Sequence, residues 1–148
     1  MNILSLDPAN KFGYALSLEN DIEYGTWDFT PRGKQTKGIK LNQFNDKLNS
    51  FMKNYGIDLV VYEKPGGRFF GAIRSHSHFE AIILLWCEKN NIKYKDYSAT
   101  AIKKFITGKG NANKQQVIQS VENLSYNPDD DNQADAIALL LLAKKDHE

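Results

Sequence analysis

At 148 residues the chain has the size of one domain, long enough to bury a core without disulfides or a structural metal. Its 41% hydrophobic and 25% charged residues exclude intrinsic disorder, and its longest apolar run, residues 136–143, is too short to span a bilayer. The formal net charge of +1 conceals an uneven distribution: residues 93–118 carry six lysines against one aspartate, and residues 119–148 carry seven acidic residues against two lysines. A basic segment beside an acidic one suits a protein that meets phosphates with one surface and cations with another; it also suits two solvated helical faces. The single cysteine, Cys87, permits no internal disulfide and reads as a small buried hydrophobe. The opening Met1-Asn2-Ile3-Leu4-Ser5-Leu6-Asp7 has no basic stretch and soon meets an acid, which is unlike a signal peptide, so a cytoplasmic protein is expected.

Residues 2–8 read as a strand ending in a turn at Pro8-Ala9-Asn10-Lys11. Two further β-type runs, 12–18 and 22–29, flank the polar Glu19-Asn20-Asp21 and complete an antiparallel meander. Leu41, Phe44, Leu48, Phe51 and Met52 recur at helical spacing, predicting an amphipathic helix over about 36–55 that Gly56 ends. Residues 57–63, rich in β-branched side chains, read as a buried strand that breaks at Pro65-Gly66-Gly67. A helix over about 76–90, a short strand over 92–97 and a helix over 99–105 with Ser98 as N-cap follow. The loop 107–113 leads into a helix over 114–124. The last helix, over about 131–145, has acids in its first turn and lysines in its last, as the helix dipole favours. This order predicts a single α/β domain over 1–148: a mixed five-stranded sheet, antiparallel meander plus parallel strands, flanked by helices.

Three acids stand where strand ends and a helix start can bring them together. Asp7 closes the first strand, Glu63 closes the central apolar strand, and Asp135 lies in the first turns of the last helix, three residues after Asn132 and four after Asp131. Side chains three and four apart share a helical face. Hard cations such as Mg²⁺ take one or two carboxylates each, with water and phosphate completing the shell. Two such ions about 4 Å apart support in-line phosphodiester displacement. Other roles compete at each position. Asp7 before Pro8 has the form of a turn residue, and Asp129, Asp130 and Asp131 have the form of a helix N-terminus. Glu63 resists such a reading, because an acid closing an apolar strand risks burial without a partner.

Four segments together resemble the RuvC-type Holliday junction resolvases. Ile3-Leu4-Ser5-Leu6-Asp7-Pro8-Ala9-Asn10-Lys11-Phe12-Gly13 is similar to that family's first motif, and Leu59-Val60-Val61-Tyr62-Glu63 to its second. Thr107-Gly108-Lys109-Gly110-Asn111-Ala112-Asn113-Lys114 resembles its Thr-Gly-x-Gly-x-Ala-x-Lys loop, and Asp131-Asn132-Gln133-Ala134-Asp135-Ala136-Ile137-Ala138 its terminal acidic helix. The resemblance implies an RNase H-like fold, a homodimer, Mg²⁺ with Mn²⁺ able to substitute, and paired nicks across a four-way junction. It makes Asp7, Glu63 and Asp135 the catalytic carboxylates and puts Lys114 near the scissile phosphate. Two departures stand out. Ala9-Asn10 replaces a usual glycine and hydroxyl residue, and the family's second helical acid falls at Asn132. Asp131 is therefore preferred as the extra ligand, with Asn132 as a neutral one. The short chain resembles viral or phage members more than bacterial ones.

Residues 66–74, with Arg68, Phe69, Phe70 and Arg74 among glycines, suit a mobile loop that stacks on unpaired bases and grips phosphates. The other reading puts Phe69 and Phe70 in the core; an aromatic near this position in the family favours a wedge role for one of them. His76 and His78 read as a helix-start or surface pair rather than Mg²⁺ ligands. Leu84, Leu85 and Trp86 read as core or dimer face. Lys103, Lys104, Lys109 and Lys114 are expected to line the DNA path, which makes affinity fall steeply with salt. The expected activity is resolution of branched DNA by metal-dependent endonucleolysis. A broader nuclease acting on flaps, forks or RNA–DNA hybrids would share the same carboxylates, and an inactive junction-binding module would not need all three.

Overall fold

Side-chain alternation along the two central strands sorts the core into two layers. In the computed structural model, which describes residues 1–148, the strands are β1 (Ile3–Asp7), β2 (Lys11–Ser17), β3 (Ile22–Asp28), β4 (Leu59–Glu63) and β5 (Lys93–Tyr97). Their spatial order is β3-β2-β1-β4-β5. The β1, β2 and β3 strands run antiparallel, while β4 and β5 join β1 in parallel. The connections include α1 (Lys37–Tyr55) before β4 and α2 (Phe70–Asn90) after it; α3 (Ala99–Thr107), α4 (Lys114–Asn123) and α5 (Asp131–His147) follow β5.

Leu4 and Leu6 of β1 and Val60 and Tyr62 of β4 face one way, into a buried cluster with Phe44 and Leu48 of α1 and Phe79, Ile83 and Trp86 of α2. Phe12 anchors that layer, its ring 4.6 Å from Phe44 and 5.1 Å from Phe79. Ile3, Leu59 and Val61 face the other way, against Ile102 of α3, Val117 of α4 and the row Ala134, Ile137, Ala138 of α5. Successive residues of a strand point to opposite faces. Asp7 therefore shares the α5 side with Ile3, and Glu63 shares it with Leu59 and Val61. The edge strand β5 exposes Lys93 and Lys95, charges that discourage edge-to-edge pairing.

The fold matches the expected mixed sheet, and most element ends fall within two residues of those expected. The Ser98 cap is present, its Oγ accepting from the Ala101 amide at 3.1 Å. The clear correction is α2, which starts at Phe70, six residues before the expected start at 76. Residues 70–74 are thus helix rather than loop, with the Ile73 amide donating to the Phe69 carbonyl at 3.0 Å. This turn projects beyond the sheet, so it has no core to impose apolar periodicity, and Gly71 weakens its helical signal further. Trp86 belongs to the core, whereas Leu85 is 53% exposed. No helix is long and apolar enough to cross a membrane.

Candidate active site

The parallel register of β1 on β4 pairs Leu6 with Tyr62. One residue further on, Asp7 and Glu63 close the two strands side by side. The third acid arrives from above. Small residues let α5 lie close to the sheet: Ala134, Ala136 and Ala138 are fully buried, and Ser5 Oγ donates to the Ala136 carbonyl at 2.8 Å. The start of α5 is tied to β3. Asp130 is its N-cap, with one carboxylate oxygen accepting from the Gln133 amide and the other from Thr26 Oγ1, both at 2.8 Å. Gln133, itself buried, donates back to Thr26 Oγ1 at 3.1 Å. Beneath this turn lies Gly13 of β2, paired with Asp7; a β-carbon there would stand 2.1 Å from the Asn132 carbonyl oxygen. The bare glycine lets α5 settle low enough to present Asp135 beside Asp7 and Glu63.

The result is a set of acids in which the neighbours of Asp7 and Asp135 disfavour their charge. Burial raises the Asp7 carboxyl well above the usual range, and the charges of Glu63, Asp135 and Asp131 raise it further. Burial, then Glu63 and Asp131, push Asp135 up to about 7, against the opposing pull of Lys103 and Lys114. Glu63 is raised by burial and lowered in part by Lys103 and by a hydrogen bond with Asp7. The ion pairs of the chain are Arg32–Asp28, Lys95–Asp146 and Lys114–Asp131, and none neutralises Asp7, Glu63 or Asp135. Like charges crowded with only partial compensation from Lys103 and Lys114 fit a divalent cation. No three acidic, histidine or cysteine side chains close around one point. Mg²⁺ needs only one or two carboxylates, with water and phosphate completing its shell.

This crowding has a measurable consequence for the protein in chelator. A carboxyl whose folded-state pKa is raised binds its proton more tightly folded than unfolded. Its contribution to stability therefore falls as pH rises from about 4 to about 7, and the full penalty holds above 7. Asp135→Asn removes that charge with little change of shape. Its expected effect is a gain of roughly 1–3 kcal/mol at pH 8, read as a thermal midpoint higher by about 3–10 °C, with little change at pH 4. An unchanged midpoint at pH 8 would mean that the acid ionises in the folded chain without cost.

Lys103 and Lys114 line a cleft of about 460 Å³ with Glu63, Asp135 and the Pro65-Gly66-Gly67 turn. Lys114 Nζ lies 3.1 Å from Asp131. Lys104 and Lys109 are not brought to the carboxylates. Lys104 sits about 100° around α3 from Lys103 and is exposed; Lys109 lines a separate polar depression with Asn113, Gln116 and Gln119. Arg68 is exposed. Phe69 and Phe70 are 79% and 70% exposed, which excludes the core reading. The Arg74 guanidinium lies 4.9 Å from the Phe70 ring centre. Asn132 has its carbonyl and Cβ against Gly13, whereas the Asp131 charge is felt at both Asp7 and Asp135. Two residues outside the motifs touch the strand ends: His76, bonded to the Glu63 carbonyl at 2.6 Å, and Lys40, bonded to Asn10 in the turn after Asp7. Side-chain pattern gives no signal for a bond to a backbone carbonyl.

A family model described as crossover junction endodeoxyribonuclease RuvC matches residues 3–142. The crossover junction endodeoxyribonuclease RuvC of Ehrlichia canis is 31% identical, over 84% of this chain and 82% of its own length. The structure of T. thermophilus RuvC in complex with Holliday junction substrate superposes with a TM-score of 0.78 at 15% identity, covering 95% of this chain and 91% of that one. Fowlpox virus resolvase in complex with Holliday junction DNA gives 0.57 at 19% identity, covering 97% and 99%. The solved structures share the RNase H-like arrangement of a mixed five-stranded sheet with flanking helices. With the family model running from β1 into α5, across the elements that carry Asp7, Glu63 and Asp135, this chain belongs to the RuvC family of crossover junction endodeoxyribonucleases.

Proposed function

We propose that residues 1–148 act as a single nuclease domain that resolves four-way (Holliday) DNA junctions by nicking paired strands. The supporting observation is the group of carboxylates Asp7, Glu63 and Asp135, the first buried and the other two half-buried, none in an ion pair, with Glu63 and Asp135 lining a cleft that Lys103 and Lys114 share. Asp7, Glu63 and Asp135 would hold Mg²⁺, or Mn²⁺ in its place, with Asp131 as the fourth acid and Asn132 a weaker neutral ligand. When bound, a pair of such ions supplies activation of the attacking water and charge neutralisation at the leaving oxygen. The chain's own part is positioning. The Thr26–Asp130–Gln133 ties fix α5, and Lys103 and Lys114 offset the charge of the entering phosphate. Paired nicks require two sites related by symmetry, so the working form is a homodimer. Action on intracellular DNA is in keeping with a cytoplasmic setting.

The two exposed aromatics divide the work of engaging unpaired bases. Arg74 covers one face of Phe70, leaving Phe69 as the more open ring. Base–aromatic stacking is worth about 1–3 kcal/mol. Phe69→Ala is therefore expected to slow single-turnover junction cleavage by roughly tenfold or more, and Phe70→Ala by less. Equal effects would remove the distinction between the two rings.

The function itself is tested with an end-labelled four-way junction in Mg²⁺, beside matched duplex, flap and RNA–DNA hybrid. Symmetric nicks confined to the junction support resolution. Equal cutting of flaps or hybrids points to a broader nuclease, and binding without cutting to a structural module.

A further inference from the structure

The helix α2 carries the exposed aromatics at its start, yet its anchorage to the sheet begins more than one turn later. Phe69, at the N-cap, supplies no side-chain cap, and residues 70–72 are exposed. His76 then reaches the end of β4, and Ser75 reaches the turn after β1 by way of Lys40. His76 Nε2 donates to the Glu63 carbonyl at 2.6 Å. Ser75 Oγ accepts from Lys40 Nζ at 2.8 Å, and the same ammonium donates to Asn10 Oδ1, in the turn after Asp7, at 3.1 Å. Lys40 also lies 5.3 Å from the Phe79 ring centre, where α2 enters the core. About one turn beyond His76, Tyr62 of β4 donates to Glu80 at 2.8 Å.

The geometry is that of a lever. A helix rises 1.5 Å per residue, so Phe70 and His76 are about 9 Å apart on one stiff rod. A displacement of the aromatic end passes to the Glu63 strand end through His76 alone, and to the turn that follows Asp7 through Ser75, Lys40 and Asn10. Neither contact is required to fill the core, since Phe79, Ile83 and Trp86 already pack α2 on the sheet.

We propose that His76, with the Ser75–Lys40–Asn10 bridge, positions the Asp7 and Glu63 strand ends according to whether the aromatic start of α2 is seated on DNA. These are positioning residues, and through them recognition of a junction sets the alignment of the carboxylates. This rests on the nuclease reading above, and it adds a route by which structure selectivity enters the chemical step rather than binding.

Coupling of this kind is shown by non-additivity, not by proximity. His76→Ala is expected to lower kcat on the four-way junction about tenfold, with KM within twofold and a thermal midpoint close to wild type. His76→Gln, whose amide can donate to the same carbonyl, should restore most of the rate. In a Phe69→Ala background, already slow, His76→Ala should cost less than threefold more. Full additivity, or an unchanged kcat in both His76→Ala and Lys40→Met, overturns the proposal. A second readout does not need cleavage. Amide hydrogen exchange of wild type in chelator should show junction-induced protection at residues 63–64 as well as at 70–74, and His76→Ala should keep only the latter. Loss of cleavage in wild type would sink the nuclease reading while the exchange pattern still decides the coupling; protection that is absent from residues 63–64 in wild type, or retained there in His76→Ala, overturns it.

Discussion

Asp7→Asn is expected to reduce junction cleavage by at least about 10³-fold while junction binding survives or tightens. Divalent-ion catalysis contributes several kcal/mol of transition-state stabilisation, and each 1.36 kcal/mol is a factor of ten. Asn is nearly isosteric with Asp, so the strand end and its pairing with Gly13 are undisturbed. Removing a buried negative charge also reduces repulsion toward phosphate, which is why binding measured without divalent metal should not weaken. Glu63→Gln should behave like Asp7→Asn. The two residues at the start of α5 should separate: Asp131→Asn is expected to cost roughly tenfold, because Asp131 is partly exposed and already paired with Lys114, and Asn132→Ala less than threefold. Single-turnover cleavage in Mg²⁺ and gel-shift binding in chelator measure both quantities. An Asp7→Asn protein that still cuts would remove the carboxylate site from the mechanism.

What the sequence revealed of this site, and what it hid, follows from which residues have a partner to be periodic against. The strands β1 and β4 are short apolar runs closed by an acid, and the acid's place is legible because each strand is buried on both faces. That Asp7 and Glu63 share one face needs only the two-residue period and a parallel register. The start of α5 was legible through its acids, yet which of Asp129, Asp130 and Asp131 serves as the cap depends on Thr26, more than a hundred positions away. The opening of α2 left no periodic apolar pattern because residues 70–72 are exposed and cover no core. The lysines show the limit differently. Lys103 and Lys104 are adjacent in sequence and alike in charge, but helical geometry sends only Lys103 into the cleft. His76 read as a surface or helix-start residue because its partner is a carbonyl, which every residue possesses.

Gly13→Ala is expected to damage stability and activity together. The methyl group would stand 2.1 Å from the Asn132 carbonyl oxygen and 2.5 Å from its carbon, both backbone atoms, so no rotamer change relieves the clash. Either β2 bends outward at the position that pairs with Asp7, or the first turn of α5 lifts. The lift is resisted by the Asp130 and Gln133 bonds to Thr26 and by Ser5 on the Ala136 carbonyl. Overpacking of a closed site costs typically 1–3 kcal/mol, and a ligand displaced by about 1 Å costs on the order of 10²-fold in rate. The thermal midpoint should fall by roughly 5–10 °C, and cleavage at a temperature where the variant remains folded by roughly 10²-fold. Gly38→Ala is the matched control: Gly38 lies in the first turn of α1 with open space around it, so alanine there should be neutral or stabilising by up to about 1 kcal/mol. If Gly13→Ala kept its midpoint but lost cleavage, α5 would have lifted without strain and the site's precision would rest on Gly13 alone. If it kept both, the close seat of α5 on β2 would not be what delivers Asp135. The prediction of a joint loss follows from the direct backbone contact, because the atoms that hold the helix down are the ones that aim its carboxylate.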